Sequence, residues 1–191
     1  MLNNYSRGFT STLLWIFMGI ILLPACSWLS PPRFPLLTAN SEYRQLLAQQ
    51  QWQIHFDDQD YHVSAVLQIN DGATTLIFMD SLGQRMMTLT HTAAGLNIQK
   101  QRAHAIASLL PELMEAVQFI YWPLADLTAR ESPDWTFESE PGLRRVYFSG
   151  ILAALVEYQN DTPTQGTVHY DNKKSDFHLI IKSSPLQSVL R

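Results

Sequence analysis

The chain has 191 residues, 46% of them hydrophobic, with a formal net charge of −4 and a single cysteine. That length suits one domain with a substantial core. The acidic balance argues against nucleic acid, which needs a basic footprint, and a lone cysteine excludes an intrachain disulfide. Arg144-Arg145 and Lys173-Lys174 are isolated pairs, read as solvated strand or turn positions, and no internal repeat is visible.

Leu13 to Leu23 reads LLWIFMGIILL, without a charge, after a polar segment whose only charged side chain is Arg7. A spanning helix needs about 20 apolar residues, and Pro24 ends this run first, so residues 1–25 are expected to be a signal peptide. Leu23-Pro24-Ala25-Cys26 then resembles a bacterial lipobox, with Pro24 a departure from its usual residue. That resemblance implies that Cys26 becomes the first residue, its thiol carrying a diacylglycerol and its amine an acyl group. Two or three such chains hold a protein stably in a bilayer, whereas one holds it marginally. Neutral Ser27 implies export to the periplasmic face of the outer membrane. The alternative is an ordinary signal peptide followed by a free or structurally buried thiol.

Residues 26–38 are expected to form a lipidated tether, and residues 39–191 the folded domain. Prolines 31, 32 and 35 favour an extended segment at about 3.1 Å per residue, a reach of roughly 30 Å. Phe34, with Trp28 and Leu29, has two options there: the lipid headgroups or the domain surface. Asn40 is a candidate cap for a short helix striped by Tyr43, Leu46 and Leu47, ending before Trp52. From Trp52 the period becomes two, through Trp52, Ile54 and Phe56 and again from Tyr61 to Ile69, with Asp57 to Asp60 as the hairpin. Further strands are expected at 74–79, 85–91 and 95–100. Pro111 suits a first helical turn, Leu113, Val117 and Ile120 share a helix face with Phe119 beside it, and Trp122-Pro123 stops the helix. Leu124 to Ala129 reads as a second short helix. Strands resume at 134–139, 143–149, 151–159, 165–171 and 176–182. Five strands, a helical insert and five strands imply a mainly β, α+β fold: a large curved antiparallel sheet or incomplete barrel with a helical lid. Leu76 to Met79, Leu152 to Val156 and Leu179 to Ile181 are apolar on both faces, which calls for cover on both sides. Ordinary core packing explains this pattern more simply than a ligand cavity.

Asp80-Ser81-Leu82-Gly83-Gln84 between two strands, and Trp122-Pro123-Leu124-Ala125-Asp126-Leu127 after the helix, add to the lipobox a resemblance to LolB-type outer-membrane lipoproteins. The chain is more similar still to an uncharacterised lipoprotein family associated with aryl-polyene clusters. The resemblance implies a LolA/LolB-like half-barrel over residues 39–191, an apolar cavity for acyl chains or lipid-linked cargo, and a LolA-like periplasmic carrier as partner. It also implies a loop leucine that meets the membrane, here Leu82 ahead of Gly83. Read from the turn alone, Leu82 tucks under its own hairpin. Leu67, Phe78, Leu89, Leu113, Val117 and Phe119 are the expected cavity lining.

No enzyme, cofactor or metal site emerges. His55 and His62 flank the 57–60 hairpin, and two imidazoles without a third ligand make a poor metal site. Ser175-Asp176-Phe177-His178 has the letters of a triad on a strand whose side chains alternate between faces. Met86-Met87 reads as core, and no nucleophile elbow, phosphate loop or dinucleotide fingerprint is present. The expected function is therefore a non-enzymatic lipid carrier, with a structural envelope lipoprotein as the alternative. A hydrolase has only unassisted serines and histidines behind it.

Overall fold

A computed structural model describes residues 33–38, 46–70, 72–100, 105–129, 134–161 and 163–185. The expected signal peptide, Cys26 and the Asn40 cap lie outside the described residues. The chain divides between Arg33 and Phe34 into two units, and the second holds every element named below.

The first five strands are β1 (Leu46–Phe56), β2 (Gln59–Asn70), β3 (Ala73–Met79), β4 (Arg85–Thr92) and β5 (Gly95–Lys100). A short 3₁₀ turn (Ala105–Leu109) leads into helix α1 (Leu110–Tyr121) and then α2 (Leu124–Thr128). The remaining strands are β6 (Trp135–Glu140), β7 (Leu143–Phe148), β8 (Ile151–Tyr158), β9 (Gly166–Asn172) and β10 (Phe177–Pro185). All ten pair antiparallel in the order β5-β4-β3-β2-β1-β10-β9-β8-β7-β6, so two five-strand meanders are joined where β1 meets β10. The sheet is not closed: β5 and β6 are its two edges.

Turn chemistry sets the register. Asp57 and Asp58 both take positive φ, 51° and 58°, which is the two-residue hairpin geometry that matches strand twist and that aspartate tolerates. Phe56 therefore faces Gln59 and His55 faces Asp60, while His62 falls opposite Gln53. His55 and His62 are not neighbours, because the turn is two residues long and not four.

Leu46 to Gln51 are strand, not the expected helix. Ala48, Gln50, Trp52 and Ile54 are all buried on one face, so the two-residue period begins well before Trp52. Gln50 hid it. Its amide donates to the Tyr121 hydroxyl at 2.6 Å and to Ser183 at 2.9 Å, and its carbonyl accepts the Trp52 indole N–H at 2.9 Å. With those partners a polar side chain occupies an inward position without an unmet hydrogen bond.

Strands that looked apolar on both sides are covered on one. Ile77, Met79, Leu155 and Ile180 stay half-buried while Leu76, Phe78, Val156 and Leu179 are enclosed. Two register shifts, at Phe78/Met79 and Val146/Tyr147, add one residue to β4 and one to β8. That extra residue lets Met86 and Met87, and likewise Ala153 and Ala154, bury consecutively.

Helix α1 lies against the inner face. The expected stripe of Leu113, Val117 and Ile120 is buried, but so is every other residue from Leu113 to Tyr121, Glu115 and Gln118 included. Pro123 ends the helix by holding Trp122 extended, at ψ 140°. The last carbonyls of the helix then lack helical partners. Side chains of the second meander supply donors. The Arg144 guanidinium donates to the carbonyls of Phe119 and Trp122, and the Tyr158 hydroxyl donates to Ile120 O at 2.9 Å. Burial pushes the Tyr158 phenol up to about 12, so it keeps this proton at any physiological pH. With β1 reaching Tyr121 through Gln50 and β7 reaching the same helix end through Arg144, the sheet must curl around α1. Four strand spacings of about 4.8 Å separate β1 from β7.

Candidate functional site

The β3–β4 turn is built by one carboxylate. Oδ1 of Asp80 accepts the N–H groups of Leu82 at 2.9 Å and Gln84 at 2.8 Å, the Asp80 carbonyl accepts Gly83 N–H at 3.0 Å, and Gly83 sits at φ +74°. This leaves Leu82 projecting at 80% exposure instead of folded beneath its hairpin. Its backbone is fixed and its side chain has no partner in the fold.

The six expected lining residues come together. Leu67, Phe78, Leu89, Leu113, Val117 and Phe119 share one apolar cluster and none exceeds 1% exposure. Each is enclosed by other side chains of that cluster, those of α1 among them.

A strap completes the cover. Phe34 N–H donates to Glu115 Oε1 at 3.3 Å and Leu37 N–H donates to Gln118 Oε1. The Phe34 ring meets Phe119, Trp135 and Phe137 at centroid distances of 5.2, 5.3 and 5.5 Å. The buried His91 of β4 is hydrogen-bonded to the Leu37 backbone, and burial lowers its pKa. Phe34 to Leu37 thus run along α1 and touch β6 on one side and β4 on the other. Of its two options, Phe34 takes the domain. The signal for this was present in α1: Glu115 and Gln118, three residues apart on an otherwise apolar helix, share a face.

A second polar cluster lies at the junction of the meanders. His55 Nδ1 is 2.8 Å from Asp60, His178 Nδ1 is 3.0 Å from Asp171, and both Nε2 atoms face Asp176, at 3.8 and 3.4 Å. No three His, Cys, Asp or Glu side chains among the described residues are gathered to hold a metal ion. The hydrogen bond to Asp60, helped by the charges of Asp60, Asp176 and Asp58, raises the His55 pKa. A raised folded-state value means stabilisation that is complete below the unfolded value near 6.5 and is lost as pH rises through the folded one. Asp60→Asn is expected to move the His55 titration, followed by proton NMR, down toward 6.5. An unmoved midpoint would remove Asp60 as the cause.

On the outer face, Gln53, Ile180, His169 and Glu157 fall in one row across four strands. With Lys182 they line an open cleft of about 540 Å³, separate from the interior.

A family profile described as "Protein of unknown function (DUF3261)" matches residues 47–185. The chain belongs to the DUF3261 family. No curated protein matches it. The match runs from the second residue of β1 to the last of β10, so the DUF3261 unit is the whole ten-stranded sheet with its helices. Leu82, Gly83 and the six buried residues fall within the DUF3261 match. The strap and Cys26 precede it.

Proposed function

We propose that this DUF3261 protein is an outer-membrane lipoprotein, anchored on the periplasmic face through acylated Cys26, that takes up acyl chains or lipid-linked molecules and delivers them to the membrane. In this reading the open sheet is a LolB-like half-barrel and α1 with its strap is the lid. A LolA-like periplasmic carrier is the partner, and an aryl-polyene-type pathway is the setting. No catalytic step is assigned. The observation that carries the reading is Leu82, held outward at 80% exposure by the Asp80 turn: an aliphatic side chain fixed in water gains free energy on entering a bilayer.

Uptake requires α1 and the strap to part from the sheet, since the six residues are enclosed. At about 0.8 kcal/mol per buried CH₂, a tail of about a dozen methylenes returns on the order of 10 kcal/mol, enough to offset the separation of one short helix. Release follows where bilayer of similar apolarity is at hand. That enclosure also supports a second reading, a structural envelope lipoprotein that docks partners and holds no small molecule.

A fluorescent fatty acid titrated into delipidated protein separates the two. Saturable binding is expected, with Leu82→Glu leaving binding intact and slowing transfer to vesicles about tenfold, the scale set by one buried leucine. No binding at any concentration would leave the structural reading in its place. Metabolic palmitate is expected to label the wild type and not Cys26→Ala; equal labelling would refute the anchor.

A further inference from the structure

Because neighbouring strands are antiparallel, the turns 57–58, 80–84, 149–150 and 173–176 all lie at one end of the sheet. Large aliphatic side chains meet solvent at two of them: Leu82 within the 80–84 turn, at 80% exposure, and Ile151 directly after the 149–150 turn, at 74%. Ile151 follows Ser149 and Gly150, both at positive φ, 49° and 76°, and the turn is fastened by Ser149 N–H donating to Asp134 O at 2.6 Å. Its position is therefore as fixed as that of Leu82.

Phe34 packs at the same end. Ile151 is the register partner of Phe148. The Phe148 ring packs on Trp135 at 5.1 Å, and Trp135 packs on Phe34 at 5.3 Å. Phe34, the first residue of the second unit, therefore lies beside the Ile151 turn.

We propose that this end of the sheet is a membrane-contact face, on which Ile151 is a second insertion point paired with Leu82. The β3–β4 and β7–β8 turns are six strand spacings apart, about 29 Å measured along the sheet. A single pocket on a protein partner does not span two such isolated tips, whereas a bilayer surface meets both at once. Between them the middle turns carry Asp57, Asp58 and Asp176 beside Lys173 and Lys174, a mixed charge that gives an anionic surface no advantage, so the surface that fits is zwitterionic. The inference rests on the delivery reading only for the Cys26 tether, and its test uses neither tether nor cargo.

Mature protein carrying Cys26→Ser, and so no lipid, is sedimented with phosphatidylcholine vesicles. Ile151→Glu is expected to lower the partition coefficient about tenfold, Leu82→Glu to do the same, and the double variant to show the product of the two effects. Ile151→Ser, with circular dichroism as a check on folding, is expected to show a smaller loss. Undiminished binding by Ile151→Glu, or binding confined to phosphatidylglycerol vesicles and abolished by salt, overturns the proposal. Vesicle binding through Ile151 in a protein that takes up no fatty acid would refute the carrier reading and leave this face standing.

Discussion

Phe119→Ala is expected to destabilise the fold by about 3–5 kcal/mol, the range for removing a buried phenylalanine, read as a lower midpoint in urea unfolding. The ring is 1% exposed and touches Phe34, Trp135 and Phe137 at 5.2, 5.8 and 5.9 Å. Its loss removes the common neighbour of the strap, α1 and β6. Three elements loosen together. In the carrier reading, the remaining folded protein is then expected to take up an acyl probe faster than wild type, because the strap is a barrier to opening. A loss of stability without faster uptake would make the cluster purely structural.

Arg144→Met is expected to cost about 2–3 kcal/mol, the scale of hydrogen bonds that involve a charged group. Methionine keeps the apolar stem and removes the donors that meet the carbonyls of Phe119 and Trp122. Tyr158 still holds Ile120 O, so α1 is expected to fray at its C-terminal turn and not to detach. Hydrogen exchange should show faster amides at Ile120 and Tyr121, with those of β2 and β3 unchanged. Uniformly faster exchange would mean that Arg144 supports the whole sheet.

The strand count was legible because alternation and turn residues agree along most of the chain. Asp57-Asp58, Gly83, Gly95 and Pro141-Gly142 mark boundaries that hold within a residue or two. What escaped had a polar residue with buried partners or a dependence on distant chain. Gln50 broke the alternation of β1 although it points inward, since its partners Tyr121 and Ser183 are far along the sequence. The pairing of His55 with His178, whose rings lie 5.8 Å apart, follows from β1 meeting β10, and no local pattern encodes that. Leu82 was a visible oddity in a turn, but only the hydrogen bonds of Asp80 decide that it projects. The six interior residues were found from the parity of their strands and helix. How they are enclosed depends on α1 and the strap, which strand periodicity does not carry.

The seam between β1 and β10 also has a temporal meaning. Each meander is built from near neighbours along the chain, and such hairpins close quickly, but Trp52 opposite Ile181 is a meeting of residues from the two extremes of the domain. Contacts of that span form slowly, because the entropy of closing the loop is lost before any contact rewards it. Until the last strand has emerged, β1 remains an unpaired edge and the inward face of both halves stays open to water, a state prone to misassociation. The chain therefore commits to its final form only when its C-terminal hairpin arrives, and a product shortened ahead of Phe177 should collect as aggregate and not as half a domain.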